Sequence, residues 1–116
     1  MNPVDLDYAS AGYLRSPDGR HLRAIRGLDI IARDLRAAGA TVEWGPWTMR
    51  DAGRCCCSGR RIVLAPWLWR CWPWFLRLCV AHELGHIVMG PYEQYVDEWE
   101  QRVYGELVAV PEEWLA

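Results

Sequence analysis

The sequence predicts an α+β fold: a small twisted sheet packed against one central helix, with a further helix on either side of it in the chain. Three observations carry this expectation. Apolar residues recur at helical spacing over about 20–38. Short β-branched and aromatic runs, punctuated by Gly and Pro, fill 41–65. Beyond Pro73 a mostly apolar stretch carries His82-Glu83-Leu84-Gly85-His86 and stops at Gly90-Pro91. With 116 residues, the chain is expected to be one domain with a modest core.

Taken in order, residues 1–17 read as irregular, with Pro3, Gly12 and Pro17. In the first helix Leu22, Ile25, Leu28, Ile31, Ala32, Leu35 and Ala38 form one face, and Arg23, Arg26, Arg33 and Arg36 lie mainly on the other. Asp18 is its expected N-cap and Gly39 its stop. Thr41-Val42-Glu43-Trp44 reads as a strand broken by Gly45-Pro46, and Trp47-Thr48-Met49 as the start of a second. A turn region is expected from Gly53 to Gly59. Arg61-Ile62-Val63-Leu64-Ala65 is the clearest strand, ended by Pro66. Trp67, Trp69, Trp72 and Trp74 crowd the next connection and are expected to lean on the core rather than line a substrate groove. Pro73 suits the first turn of the central helix. A last helix is expected over about 96–110, with Trp99, Val103, Leu107 and Val110 at helical spacing, ended by Pro111.

All basic residues are arginine. Residues 1–77 hold twelve Arg against seven acids, whereas 78–116 hold one Arg against eight acids. The arginines are scattered, so a solvated basic face is expected rather than a nucleic-acid site. The run 62–81 has the length of a membrane span. It is interrupted by Pro66, Arg70, Pro73 and Arg77, and no membrane segment is expected. The N-terminus lacks the basic-then-apolar pattern of a secretory signal, and the five cysteines are odd in number; a reducing cytoplasm is the expected setting. Cys55-Cys56-Cys57 lacks metal-ligand spacing and reads as a turn with ordinary thiols.

The chemistry lies in HELGH. Residues four apart on a helix share one face, so His82 and His86 can hold a zinc ion at about 2.0–2.1 Å each. Glu83, on the same rim, serves as general base in an H-E-x-x-H pattern. Two His and a Glu within a largely apolar helix are expensive to bury unless paired or metal-bound. A catalytic zinc needs a third protein ligand. Position 92 is Tyr, so H-E-x-x-H-x-x-G-x-x-H is excluded. An acid on the last helix is expected, with Glu93, Asp97, Glu98, Glu100 and Glu106 as the choices. His21, at the start of the first helix, is expected to be an exposed histidine rather than a ligand.

Over roughly 22–111 the chain resembles the ImmA/IrrE family of small metallopeptidases. The order of elements is similar: helix, short strands, a strand like Arg61-Ile62-Val63-Leu64, the HELGH helix, and a helix ending in proline. The family's closing pattern E-A-N-x-F-A-A-x-L-L-M-P is similar to Glu100-Gln101-Arg102-Val103-Tyr104-Gly105-Glu106-Leu107-Val108-Ala109-Val110-Pro111. Counted back from Pro111, the resemblance implies Glu100 as the metal-binding Glu, with Glu98 and Asp97 next in line. It implies a minimal zincin-like domain holding zinc by His82, His86 and Glu100, with Glu83 catalytic. The implied activity is hydrolysis of peptide bonds in a protein or peptide substrate, a repressor or other transcriptional regulator being the expected target. The alternative is a zinc-binding module without catalysis that binds another protein. A tetrahedral oxyanion needs a further donor, and Tyr92, Tyr95 and Tyr104 are the nearby tyrosines. The substrate is expected to extend along Arg61–Ala65, the strand before the active helix.

Overall fold

A computed structural model describes residues 3–56 and 58–114. Cys57, residues 115 and 116, and the first two residues of the stretch expected to be irregular lie outside the described residues. The elements are α1 (Leu6–Ser10), β1 (Tyr13–Arg15), β2 (Leu22–Ala24), α2 (Leu28–Ala37), β3 (Thr41–Trp44), β4 (Gly53–Cys56), β5 (Arg61–Leu64), α3 (Pro73–Met89) and α4 (Glu93–Tyr104). Short 3-10 turns follow β5 at Pro66–Arg70 and α4 at Gly105–Leu107. The architecture is α+β. β1 and β2 form an antiparallel hairpin. The main sheet has the order β3-β5-β4, with β3 parallel and β4 antiparallel to the central β5.

Alternation decides what each strand buries. Val42 and Trp44 on β3, and Ile62 and Leu64 on β5, turn to one face and are buried. α2 meets that core with Leu28, Ile31, Ala32 and Leu35, and α3 with Leu76, Val80, Ala81 and Leu84. Each fully buried Leu or Ile contributes about 1.5–3 kcal/mol relative to exposure. α3 begins at Pro73, whose fixed φ suits the first turn.

Side-chain clamps then fix the helices. The Arg77 guanidinium donates to the carbonyls of Leu107 (2.6 Å) and Arg26 (2.7 Å). Arg23 donates to the carbonyls of Trp69 (2.9 Å) and Cys71 (2.8 Å), just ahead of α3. The Tyr104 hydroxyl donates to Asp34 at 2.7 Å, tying the end of α4 to α2.

Several sequence expectations need correction. The stretch 1–17 contains α1 and β1. The first long helix starts at Leu28, not near 20, and Gly27, not Asp18, is its N-cap. Leu22 and Ile25 fit helical spacing by coincidence. Leu22 belongs to the hairpin, and Ile25 is buried from the connection that follows. Trp47-Thr48-Met49 is a turn rather than a strand. Gly53–Cys56, expected as turn, is an edge strand that pairs, among the described residues, with β5 alone. Gly and Cys carry little strand preference, so pairing with β5 overrides local propensity there. The last helix starts at Glu93 and ends at Tyr104.

Candidate metal centre

The second half of α3 faces α4. His82 and His86 lie one turn apart, their rings edge to face with centroids 4.9 Å apart. Gly85 sits just before His86. A Cβ there would stand 2.6 Å from Val96 Cγ1, so the glycine of HELGH is what lets α4 approach so closely. That approach carries the first turn of α4 over the histidines. Glu93, the first helical residue, sets Oε2 2.7 Å from His82 Nε2 and Oε1 3.0 Å from His86 Nε2.

The other ring nitrogens are held from behind. His86 Nδ1 is 3.0 Å from the carbonyl oxygen of Gly90. His82 Nδ1 is 3.5 Å from both Asp97 Oδ1 and Glu100 Oε1. Acceptors thus face both ring nitrogens of each histidine; with the ring proton on Nδ1, Nε2 is the nitrogen that could face a metal.

His82, His86 and Glu100 are therefore not brought together as one set. Glu100 is 4% exposed and reaches His82 from its Nδ1 side. Among the described residues, the groups close enough to share an ion are His82, His86 and Glu93, and separately His82, Asp97 and Glu100. Glu98 is exposed and belongs to neither group. Glu93 is one of the five acids the sequence leaves open, and the register counted from Pro111 passes over it. The signal for it is the short connection: when one helix follows another after Gly90, Pro91 and Tyr92, the first turn of the second lies opposite the last turns of the first.

Glu83 faces the sheet. It is 8% exposed, and its Oε2 is buried without a hydrogen-bond partner; Glu100 Oε2 is in the same state. A Cβ on Gly53 would stand 2.9 Å from Glu83 Cγ, so the first residue of β4 must be this small for Glu83 to lie against it. A cavity of about 480 Å³ opens there, bounded by Gly53, Leu78, Cys79, His82, Glu83 and Glu100.

Burial raises the Glu83 carboxyl above its ordinary value, with His82 and His86 opposing and Glu93 adding to the rise. Burial likewise raises Glu100, against the pull of His82. Burial by itself would lower His82, but Glu100, Glu93 and Glu83 together hold it above the usual histidine value. Cys79, next to these acids, is pushed up to about 12, first by burial.

The donor set fits zinc. Two imidazole nitrogens and one carboxylate suit a borderline cation, with a tetrahedral position left open. The nitrogen-to-oxygen spacings around Glu93, 2.7 and 3.0 Å, are those of hydrogen bonds; ligands at about 2.0–2.1 Å from a tetrahedral ion stand about 3.3 Å apart, so a bound zinc would open them by a few tenths of an ångström. The partnerless buried oxygen of Glu83, which shares a cavity with His82, is a further polar group that a hydrated cation would satisfy.

The remaining candidates separate cleanly. Tyr104 is buried and spends its hydroxyl on Asp34. Tyr92 and Tyr95 flank Glu93, both exposed, with rings edge to face at 6.0 Å. His21 sits in the β1–β2 connection and belongs to neither acid–histidine group. Trp67 stacks on Phe75 and donates to the Met49 carbonyl, Trp69 packs against the core, and Trp72 and Trp74 meet Trp114. Cys55 and Cys56 lie on β4. Among the described residues, no helix is long and apolar enough to cross a membrane. No family model matches the chain, and no curated protein or solved structure does either.

Proposed function

We propose that this chain is a zinc metallopeptidase that hydrolyses peptide bonds of a protein substrate, with zinc held by His82, His86 and Glu93. One observation carries the proposal: Nε2 of both histidines meets one carboxylate, while Glu83, on the same helix, keeps a buried oxygen without a partner. The H-E-x-x-H spacing and the resemblance to the ImmA/IrrE family support it, and the resemblance suggests a repressor or other regulator as target. In this assignment Glu93 takes the ligand role that the register gave to Glu100. Asp97 and Glu100 become the carboxylates that orient His82 through Nδ1.

Zinc bound there supplies Lewis-acid chemistry, acidifying water and polarising a carbonyl. The chain's own residues do the rest. Glu83 Oε2 accepts a proton from the attacking water and delivers it to the departing amine. Burial raises the Glu83 carboxyl above its ordinary value, which favours its taking that proton. Leu78 and Gly53 of β4 line one side of the cavity. Tyr92 and Tyr95 are the exposed hydroxyls near enough in sequence to Glu93 to donate to a developing oxyanion.

The substrate strand also changes. Arg61–Leu64 is the central strand, paired on both sides, and cannot accept another chain. β4 is the edge beside Glu83. The Ala52 carbonyl accepts from Ala65 N–H at 2.9 Å, so by antiparallel alternation Gly53 turns its own N–H and C=O to the open side. An extended substrate would add there as a further strand.

The test is metal dependence. Purified chain should carry about one zinc, cleave an unfolded protein, lose activity with chelator and regain it with zinc. His82→Ala and His86→Ala should each lose the metal. Undiminished zinc in both variants would move the site elsewhere.

A further inference from the structure

We infer that the cavity bounded by Arg50 and Arg54 is a subsite for an acidic side chain of the substrate, next to the residue that enters the metal centre. The inference rests on the peptidase assignment above and names the substrate class that site would prefer.

The sheet register leads to it. Gly53 pairs with Leu64, on the face covered by α3, whereas Arg54 pairs with Val63, on the opposite face. Side chains of any strand added at the β4 edge must alternate in the same way. A substrate residue opposite Gly53 points into the cavity with Glu83 and His82. Its neighbour in the chain points to the other face of the sheet.

That other face is not flat. A cavity of about 560 Å³ lies there, lined by Pro46, Met49, Arg50, Asp51, Arg54 and Val63. Asp51 also lines the cavity that holds Glu83 and His82, so the two spaces share a wall at the start of β4. Pro46, Met49 and Val63 give an apolar floor for methylene groups. Arg54 has Asp51 as an ion-pair partner at 3.4 Å. Arg50 is exposed and pairs with no carboxylate among the described residues. The balance is one guanidinium in excess over an apolar floor, which suits glutamate: stem on Met49 and Val63, carboxylate on Arg50. A lysine at the same position would meet two guanidiniums.

The test uses zinc-loaded Glu83→Gln chain and dye-labelled octapeptide pools, random except for one fixed Glu, Gln or Lys that is moved along the peptide. Fluorescence anisotropy reads binding. At one position Glu should bind about fivefold more tightly than Gln, as expected for a partly exposed ion pair, and Lys more weakly than both. Arg50→Glu should reverse the order of Glu and Lys, and Arg54→Gln should weaken the Glu preference. Arg33→Glu, on an exposed position of α2, is the control that should change nothing. An absence of preference at every position, or a preference identical in Arg50→Glu, would overturn the subsite. Hydrolysis by the wild-type chain is followed in parallel. Preference without cleavage would sink the peptidase assignment and leave the subsite standing. Cleavage without preference would do the reverse.

Discussion

Glu83 lies so close over Gly53 that a Cβ on Gly53 would stand 2.9 Å from Glu83 Cγ and 3.4 Å from its Cδ. The proposed general base and the edge strand proposed to accept substrate therefore share one van der Waals surface. Gly53→Ala should push the Glu83 carboxyl away from its working position without touching a metal ligand. Misplacement by about 1 Å can lower turnover about 10²-fold. Measured kcat/KM should fall accordingly while zinc content stays at the wild-type level. Wild-type kinetics in Gly53→Ala would mean that Glu83 is not held by this contact.

The three carboxylates around His82 should separate by role. Glu93→Gln removes the group shared by both Nε2 atoms. Glu100→Gln and Asp97→Asn remove only partners of Nδ1. Loss of such an orienting partner typically weakens metal affinity about 10–100-fold, and Glu93→Gln should exceed that. Competition titration against a zinc chelator measures both. A larger loss in Glu100→Gln than in Glu93→Gln would return the ligand role to the register counted from Pro111.

Tyr104→Phe isolates a structural contact from the site. It deletes the buried hydroxyl that donates to Asp34 at 2.7 Å and fixes the end of α4. The expected loss is about 1–2 kcal/mol of stability, since the Asp34 carboxyl loses a buried hydrogen-bond donor. Thermal unfolding should show a lower Tm, with zinc affinity unchanged because Glu93 sits at the other end of α4. A Tm equal to wild type would show that water replaces the hydroxyl.

Burial of Glu83 fixes the sign of a pH effect in metal-stripped protein. Its folded carboxyl lies above the ordinary value of 4.5, so the folded state holds the proton more tightly than the unfolded chain. That contribution to stability is fully present below about 4.5 and is lost as pH rises through the folded value. Metal-free Glu83→Gln should therefore be more stable than metal-free wild type near pH 7, and the gap should close toward pH 4. Denaturant titrations at both pH values with chelator present provide the comparison. A gap that widens on acidification would reverse the sign and remove the burial argument.

Sequence alone reaches much of this centre. HELGH marks α3, Pro73 and Gly90 mark its ends, and alternation marks β3 and β5. What it does not reach depends on pairing between distant segments. β4 carries Gly and Cys, with no strand preference, and exists because β5 offers it an edge. The hairpin of β1 and β2 is hidden because Leu22 and Ile25 fall at helical spacing. The acid that meets both histidines is set by how closely α4 packs on Gly85 and by the three residues between the helices. A register counted from the far end of α4 carries neither fact.

The most direct measurement compares wild type with Glu83→Gln for zinc content and for cleavage of a panel of unfolded proteins and candidate regulators. Glu83 is assigned to move a proton and not to hold metal. The variant should keep about one zinc per chain and lose peptidase activity by about 10²–10⁴-fold. Equal cleavage by the two proteins would contradict the mechanism. Zinc bound in both, with neither cleaving and one regulator captured by both, would instead identify a binding module that uses this centre without catalysis.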